Sequence, residues 1–514
     1  MGIPAYFSFI VKNHPSIIKK IDTLKGNIHN LLLDCNSIIY DSLFNIEFTN
    51  KDDFENKIIE FVCNKINYYI KNISPSSFVY IAFDGVAPIA KLDQQRCRRY
   101  KSWFTNQVLD KESKWDRCAI TPGTMFMKKL SDKIHSTFRN NKMCKISTSI
   151  EPGEGEHKLF QHIRENSDIY QNKTTVVYGL DADLIMLCIN HLYICNNIYL
   201  FRETPEFIKH IDKSLNPNQL YALDITDLSS NISFTLNNNK KCNTEQEKNK
   251  LFDYIFICFM LGNDFMPHFP HINIRTNGIN ILMEAYKEII GDQNLNLTDG
   301  KQIFWNNFRK FVSYLVENEC EYFQEEYERR LMLEGKSFHN EKGEDKLNNI
   351  PVKDITEEKF INPYEKYWQY KYYKILFDID GKIEDKQKIC KNYLEALEWN
   401  FKYYTHSCPD WTWKYNYDYP PLLCDLIKYI PSLSIEYIPY KNPSIISQYT
   451  QLAYVLPKSS LQELLPKKIY DKLKNNPNWY SEDCRFKWNY CRYFWESHVE
   501  LPEIPISALQ VITM

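Results

Sequence analysis

Four short apolar runs alternate with longer amphipathic segments in the front part of the chain, and this alternation is the strongest constraint on its fold. The runs are rich in β-branched and aromatic residues and comprise Ile28–Cys35, Phe78–Phe83, Lys145–Ile150 and Thr174–Tyr178. A longer segment between two of them, Phe54–Ile73, has apolar residues at helical spacing. Strands and helices in alternation predict an α/β fold with a mostly parallel central sheet flanked by helices.

Glycine and charge suggest how the rest of the chain is organised. Eleven of the 14 glycines lie at or before Gly300, and none follows Gly381. Glycine permits tight turns, so we expect the remainder of the chain to be mainly helical. A strongly charged stretch at 322–360 predicts a solvated helix that leads into a linker, and an aromatic-rich region follows it. These features divide the chain into a front domain (1–320), a charged helix and linker (321–362) and a second region (363–514).

Composition excludes several classes of protein. Hydrophobic residues make up 44% of the chain and charged residues 25%, which is typical of a folded soluble protein. No apolar run is long enough for a membrane span, and the first residues lack the pattern of a signal peptide. The 15 cysteines include no Cys-x-x-Cys pair, so we expect free thiols and no structural zinc. We therefore expect a cytoplasmic protein without a membrane partner, with the nucleus as the alternative location.

Seven acidic residues stand in settings where an isolated carboxylate would be costly. They follow apolar runs, as in IAFD and GLDADL, or lie beside glycine, as in GEGEH, and they are Asp34, Asp84, Glu154, Glu156, Asp181, Asp183 and Asp264. Taken singly, Asp34 or Asp84 is more often a helix cap or a turn residue. Because parallel strands place their carboxyl ends at one edge of a sheet, the seven together favour a site for divalent cations. Two such ions can hydrolyse a phosphodiester.

A basic stretch follows Asp84 directly. Within 91–101 there are five cations and one acid, Asp93. If this stretch is helical, four residues share one face, here called the basic face: Lys91, Gln95, Arg98 and Arg99. Three cations and an amide can bind a terminal phosphate monoester, which carries more charge than an internal diester. The alternative is a solvated helix face without a ligand.

Several longer motifs occur in a fixed order along the chain. They include MGIPAYF, FDGVAPIAKLDQQRCRR, EPGEGEHK, YGLDADLIML and FMLGNDFMPHFP within residues 1–290, and EWNFKYYTHSCPDWTWKYNYDYPPLLCDL further on. Together they closely resemble the XRN family of 5′→3′ exoribonucleases. The resemblance implies a PIN-like nuclease core related to flap endonucleases, followed by a helical second conserved region that wraps the core and encloses the active site.

The resemblance also implies roles for residues. The seven acids match metal-binding positions, with two Mg²⁺ ions as the implied cofactor and Mn²⁺ able to replace them. The basic face matches a pocket for a 5′-monophosphate, and the implied reaction is processive degradation of single-stranded RNA to nucleoside monophosphates in RNA turnover. Tyr40 stands where the family usually has His, and its ring is a candidate for stacking on bases. Trp411 and Trp413 are further stacking candidates, for which the alternative is ordinary core packing.

Two rival functions make different demands on the sequence. A structure-specific 5′-flap DNA nuclease predicts a helix–hairpin–helix with glycine-containing turns, and the sequence after Gly278 offers no candidate. An inactive RNA-binding scaffold predicts lost acids, whereas all seven positions are filled. We expect a monomer that acts on 5′-monophosphorylated RNA, with a decapping enzyme as a candidate functional partner. The chain is similar to a minimal member of the family, of viral or protist type, for which the location would be the host cytoplasm if viral.

Overall fold

A computed structural model describes residues 2–203, 215–216, 219–291, 295–336 and 341–514. The strands of its central sheet are β1 (Ile18–Lys20), β2 (Ile28–Asp34), β3 (Phe78–Ala82), β4 (Cys144–Ser147), β5 (Thr174–Tyr178), β6 (Asn197–Arg202) and β7 (Tyr221–Asp224). Across the sheet their order is β1-β7-β6-β5-β2-β3-β4. β2 therefore lies between β3 and β5, and all three were predicted from the apolar runs.

Most strand pairs of this sheet are parallel. β2 pairs in parallel with β3 and with β5, and the pairs β3–β4 and β5–β6 are also parallel. The expected mostly parallel α/β sheet is thus confirmed. The strand predicted over Lys145–Ile150 is wrong at its end, because the chain leaves the sheet after Ser147. There the backbone N–H of Thr148 donates to a carboxylate oxygen of Glu151, at 2.8 Å, instead of to a neighbouring strand.

Three strands were not predicted. β6 and β7 are antiparallel neighbours. β7 also pairs antiparallel with β1, the first strand of the chain. β1 and β7 are only 3 and 4 residues long, so they carry too little periodic pattern to be recognised. They extend the parallel centre of the sheet by an antiparallel edge.

Helices of the front part cover both faces of the sheet. They are α1 (Tyr6–Asn13), α2 (Ile21–Leu24), α3 (Asn36–Asn45), α4 (Lys51–Ile73), α5 (Ile89–Val108), α6 (Met125–Phe138), α7 (Gly155–Glu165), α8 (Ser167–Tyr170), α9 (Asp183–Asn190) and α10 (Ile225–Leu236). Successive side chains of a strand point to opposite faces. Leu31 and Leu33 accordingly belong to one buried cluster, with α4 and α6, and Leu32 belongs to another, with α7 and α9.

The helix predicted over Phe54–Ile73 is α4. It starts three residues earlier, at Lys51, because the side chain of Asn50 accepts a hydrogen bond from the backbone N–H of Asp53 and caps the helix. Ile58, Val62 and Ile66, at intervals of four residues, are fully buried. This burial, rather than helix propensity, is what fixes α4 against the sheet.

The rest of the described chain is mainly helical, as expected. Its helices are α11 (Thr244–Cys258), α12 (Gly278–Tyr286), α13 (Trp305–Glu317), α14 (Glu319–Glu334), α15 (Glu344–Asn348), α16 (Ile350–Lys353), α17 (Thr356–Ile361), α18 (Trp368–Phe377), α19 (Ile383–Thr405), α20 (Leu423–Leu426), α21 (Gln448–Val455), α22 (Lys458–Leu464), α23 (Lys467–Leu473) and α24 (Ile506–Thr513). A small antiparallel pair, β8 (Arg485–Lys487) and β9 (His498–Glu500), accompanies them. Short 3₁₀ turns occur at Pro15–Ile17, Arg117–Ala119, Phe259–Leu261, Pro477–Trp479 and Phe494–Glu496, and a π-helical turn at Lys287–Gly291.

The charged stretch at 322–360 contains the expected helix, α14, but some of its charged side chains are buried instead of solvated. Arg330 of α14 and Glu358 of α17 form a buried ion pair through two contacts of 2.7 Å. Arg330 also donates to the backbone carbonyls of Pro351 and Cys491. Charges can be buried in this way only when they are paired. The exact domain boundaries remain a prediction.

The second region packs directly on the front domain. One apolar core contains Val177 of β5 and Leu187 of α9 together with Leu397 and Phe401 of α19. A separate cluster joins α5 to α21 and α24. All 15 cysteines are free thiols. Within the described ranges, no helix combines the length and the apolar character that a membrane crossing requires.

Candidate active site

Carboxylates from three adjacent strands gather at one edge of the sheet. Asp34 is the last residue of β2, Asp84 follows β3, and Asp181 follows β5. Because these strands are neighbours and parallel, their carboxyl ends bring the three side chains together. Burial raises the pKa of Asp34 well above its ordinary value, and the negative charges of Asp84 and Asp181 raise it further.

Glu154 and Glu156 flank the first residue of α7, Gly155. The backbone N–H of Gly155 donates a hydrogen bond of 2.6 Å to Asp84 Oδ1, which holds the start of the helix against the end of β3. A methyl group on Gly155 would lie 2.5 Å from Asp34 Oδ1. Only glycine allows this approach, and this explains the glycine between the two acids. The positive end of the helix dipole also favours carboxylates at this position.

The remaining two acids join the same group. Asp183 is the first residue of α9, and Asp264 lies in the loop after the 3₁₀ turn Phe259–Leu261. Burial, together with the charges of Asp181 and Asp264, raises the pKa of Asp183 to about 7. Burial and then Asp181 raise the pKa of Glu156 well above its ordinary value. The structure thus brings together all seven acids that the sequence singled out.

Lys91 lies inside this group of acids. Its ammonium nitrogen is 2.5 Å from Glu154 Oε2 and 2.8 Å from Asp264 Oδ2. Burial alone would lower the pKa of Lys91, but Asp264 and Glu154 outweigh it and hold that pKa well above its ordinary value. The residue that was predicted to bind a terminal phosphate therefore also neutralises two of the acids.

Three of the acids present oxygens that suit a cation. Asp34 Oδ1, Glu156 Oε2 and Asp183 Oδ1 are buried and receive no hydrogen bond within the described part of the chain. A buried carboxylate is costly unless a positive charge compensates it, and an all-oxygen set suits Mg²⁺ or Mn²⁺. Among the described residues, no three acid, histidine or cysteine side chains already enclose one ion position. Two of the acids, Glu154 and Asp264, instead contact the ammonium group of Lys91.

The basic stretch forms the helix α5, and its basic face is not solvated. All four of its residues line a cavity of about 460 Å³ that Asp34, Asp84 and Glu154 also line, and this volume is in the usual range of ligand sites. Arg99 Nη2 donates to Thr121 Oγ1 at 2.7 Å, which orients the guanidinium group. Arg99 Nη1 is buried and finds no acceptor in the described residues. A ligand with acceptor oxygens could satisfy this donor, and the phosphate pocket remains a prediction.

The predicted stacking residues lie in different settings. Tyr40, on α3, is 38% exposed and lines the same cavity. Trp413 is buried with its ring stacked on Trp399, at 5.4 Å between centroids, which is the core packing named as its alternative. The backbone carbonyl of Trp411 accepts a hydrogen bond from Ile89, at the start of α5. Neither Trp is among the described residues that line the cavity, and all three stacking assignments remain predictions.

Two tyrosines of α19 contact the acids, and the sequence did not assign them. The hydroxyl of Tyr403 donates to Glu154 Oε1 at 2.8 Å. Tyr404 lies near Asp183, and burial followed by the charge of Asp183 raises the pKa of Tyr404 well above its ordinary value. His157 stacks on Tyr403, with ring centroids 3.7 Å apart. The sequence signal that could have revealed them is a pair of adjacent tyrosines in an apolar helix. A tyrosine hydroxyl that is buried usually needs a hydrogen-bond partner.

Two polar residues near the strand ends were also missed. The side-chain amide of Asn36 donates to Asp84 Oδ2, and its oxygen accepts from the backbone N–H of Asp84 at 3.2 Å. The ammonium group of Lys158 donates to the carbonyls of Phe83 and Thr148, at 2.8 and 2.9 Å. Burial lowers the pKa of Lys158 to about 8. These contacts hold the ends of β3 and β4 in place beneath the acids.

Comparison with known families agrees with this geometry. A family model described as the XRN 5'-3' exonuclease N-terminus matches residues 1–204, and one described as the Xrn1 helical domain matches residues 245–361 and 341–511. The chain belongs to the XRN family. The resemblance found in its motifs is therefore confirmed, and the α/β front part with its helical second region is consistent with the PIN-like fold of XRN proteins.

Curated relatives named as 5'-3' exoribonucleases are about a quarter identical to this chain over the aligned residues. The 5'-3' exoribonuclease 1 of Saccharomyces cerevisiae is 25% identical over 91% of this chain and 40% of its own length. That of Homo sapiens is 26% identical over 98% of this chain and 33% of its own length. The 5'-3' exoribonuclease 2 homolog of Drosophila melanogaster is 26% identical over 98% of this chain and 69% of its own length. The chain thus spans well under half the length of the first two relatives.

Proposed function

We propose that the protein is a 5′→3′ exoribonuclease that removes nucleoside monophosphates one at a time from single-stranded RNA with a 5′-monophosphate. The observation that carries this proposal is the shared cavity, which five of the acids and the basic face of α5 line together. A group of acids alone would suit many hydrolases. A cationic pocket beside it favours a substrate with a terminal phosphate, and the names of the XRN relatives agree with RNA as that substrate.

The seven acids are proposed to hold two Mg²⁺ ions, which when bound would activate water and neutralise charge on the scissile phosphodiester. Gln95, Arg98 and Arg99 are proposed to bind the terminal phosphate, since the planar fork of arginine matches phosphate oxygens. The hydrogen bond from Arg99 to Thr121 orients the guanidinium group of Arg99 before a phosphate binds. A monoester carries more negative charge than a diester, so this pocket favours a chain end over an internal linkage.

The arrangement also accounts for stepwise cleavage. When a 5′ end occupies the basic face, the first internal linkage lies toward the acids in the same cavity. Cleavage there releases one nucleoside monophosphate and leaves a new 5′-monophosphate on the shortened RNA. The new end carries the same 5′-monophosphate group as the original end, so the same pocket can bind it. We further propose that the protein acts as a monomer in cytoplasmic RNA turnover, with a decapping enzyme as a source of 5′-monophosphate ends.

A comparison of RNA ends tests the proposal. Purified protein is incubated with Mg²⁺ and matched single-stranded RNAs that carry a 5′-monophosphate, 5′-triphosphate or 5′-hydroxyl, and with a 5′-flap DNA. We expect mononucleotides from the 5′-monophosphate RNA and little product from the others. Equal decay of the three RNAs would contradict the pocket assignment, and preferred cleavage of the flap would support the DNA nuclease instead.

Two variants test the role of the acids and the role of the phosphate pocket independently. Asp181→Asn is expected to abolish degradation of every substrate, and full activity of this variant would contradict the metal assignment. Arg98→Ala is expected to lose selectivity for the 5′-monophosphate while Mg²⁺ binding persists. Arg139→Ala is the matched control, because Arg139 is exposed and lies outside the cavity.

A further inference from the structure

Arg202 lines the same cavity as the basic face of α5 and several of the acids. It is the last residue of β6, and in the sheet the strand ends follow the order β3, β2, β5, β6. The basic face follows β3, and Asp84, Asp34 and Asp181 stand at the ends of β3, β2 and β5. Among the described residues that line this cavity, Arg202 is the one cation that does not belong to α5.

The guanidinium group of Arg202 is positioned by an aromatic ring, but two of its nitrogen atoms lack hydrogen-bond acceptors among the described residues. It stacks on the ring of Phe7, with Cζ 4.0 Å from the ring centroid. Its Nε and Nη1 atoms are buried, and neither has a hydrogen-bond acceptor within the described ranges of the chain. Burial lowers the pKa of Arg202 to about 10, and the nearby charge of Asp181 opposes that change, so the group is cationic at neutral pH. Unpaired buried donors of this kind are costly in the absence of an acceptor.

We propose that Arg202 binds a phosphodiester of the RNA, namely the linkage immediately 3′ of the one that is cleaved. This inference rests on the proposed function. Neighbouring strands lie about 4.8 Å apart, so the end of β6 is roughly 14 Å from the end of β3. A strand whose terminal phosphate occupies the basic face and whose first internal linkage lies at the acids continues in that direction. The next phosphate group then meets the two free N–H donors of Arg202, which can bind two of its oxygens.

The experiment removes the charge from one linkage at a time. A 5′-monophosphorylated RNA carries a single methylphosphonate, which is neutral, at either the second or the fifth internal linkage. The rate of the first cleavage is measured at subsaturating RNA. For the unmodified protein, the neutral second linkage is expected to slow this step by roughly tenfold or more, as for the loss of a charge-assisted hydrogen bond. The neutral fifth linkage is expected to leave the rate unchanged.

Variants of Arg202 make the assignment specific. Arg202→Gln is expected to cleave the all-phosphate RNA about as slowly as the unmodified protein cleaves the RNA with the neutral second linkage, and to show no further loss on that RNA. Arg202→Lys keeps the charge but not the fork, and is expected to be intermediate. Arg139→Gln, at an exposed site on α6's C-terminal side, is expected to keep the full sensitivity to the neutral linkage.

Three results would overturn the proposal. The first is a normal rate of the unmodified protein on the RNA with the neutral second linkage, and this result does not depend on whether any variant folds. The second is an Arg202→Gln variant that remains as sensitive to the neutral linkage as the unmodified protein, which would assign Arg202 a structural role beside Asp181. The third is an unmodified protein that degrades none of the RNAs, in which case the proposed function fails as well.

Discussion

The hydroxyl of Tyr403 donates a hydrogen bond to Glu154 Oε1, so a helix of the second region holds an acid of the front domain. The two residues are 249 positions apart in the chain. The adjacent Tyr404 lies near Asp183. The position of Glu154 therefore depends on the packing of α19 against the front domain, so the helical region contributes to the site.

Tyr403→Phe tests this contact. The variant keeps the ring that stacks on His157 and loses only the hydroxyl, so we expect it to fold normally. Loss of a hydrogen bond to a charged group costs about 1.5–3 kcal/mol, and we expect a several-fold higher Mg²⁺ concentration at half-maximal RNA degradation. Tyr370→Phe is the matched control, because Tyr370 is 46% exposed. An unchanged Mg²⁺ requirement for Tyr403→Phe would assign its hydroxyl no part in positioning Glu154.

Gly155→Ala tests the close approach of α7 to β2. Alanine favours a helix by about 1 kcal/mol over glycine, so the fold itself should tolerate the change. Its methyl group, however, would lie 2.5 Å from Asp34 Oδ1 and must displace that carboxylate. We expect RNA degradation to fall by roughly 100-fold or more, the scale on which small misplacements at a catalytic site act, with little change in Tm.

Gly335→Ala is the control for this substitution. A methyl group there meets nothing closer than 3.7 Å, and we expect normal RNA degradation. If Gly155→Ala degraded RNA at the normal rate, the distance between α7 and Asp34 would not matter for the chemistry.

Glu319 should make stability depend on pH. Burial raises its pKa from 4.5 to about 7, although it accepts hydrogen bonds from the backbone N–H groups of Leu423 and Cys424. The folded state thus holds the proton more tightly than the unfolded state. Its contribution to stability is complete below pH 4.5 and is lost as the pH rises to about 7, which amounts to a loss on the order of 2–3 kcal/mol.

Glu319→Gln removes this titration and keeps an oxygen that accepts a hydrogen bond. We expect the free energy of unfolding in urea to fall less between pH 5 and pH 7.5 for Glu319→Gln than for the unmodified protein. Glu321→Gln, at an exposed position of the same helix, should leave the pH dependence unchanged. Parallel curves for all three proteins would show that Glu319 titrates normally.

Arg330→Ala tests the buried ion pair with Glu358. It would leave Glu358 buried without its cation, and such a change costs about 3–5 kcal/mol. The variant also loses donors to Pro351 and Cys491. Lys359→Ala is the control, since Lys359 is exposed and forms a surface ion pair with Glu334 worth at most about 1 kcal/mol. Equal urea midpoints for the two variants would contradict a stabilising role for the buried pair.

The centre of the sheet and the acids at its edge were predictable from the sequence. The apolar residues that lead to the acids, Leu31–Leu33 of β2, Val79–Ala82 of β3 and Val176–Tyr178 of β5, are uninterrupted and buried on both faces of the sheet. An acid that follows such a run must lie at the end of a strand. Asp34, Asp84 and Asp181 were found for this reason, and the spacing of the cations on α5 revealed the basic face.

The contacts that complete the site were not predictable. The partners of Lys91 are Glu154 and Asp264, and those of Arg330 include Glu358, yet nothing in local composition distinguishes such a pair from two solvated charges. Arg202 ends a strand that was not predicted at all. In each case the burial of a charge depends on a partner that only the folded chain supplies.

The pairing of β1 with β7 sets an order of events during synthesis. Ile18 lies opposite Leu223, so β1 leaves the ribosome long before its partner, by roughly 10–40 s at about 5–20 residues per second. Until β7 emerges, the free edge of β6 exposes unpaired backbone groups that other nascent chains can bind. Contacts of such long sequence separation also slow folding. Synthesis of β7 thus both supplies the partner of β1 and covers the edge of β6.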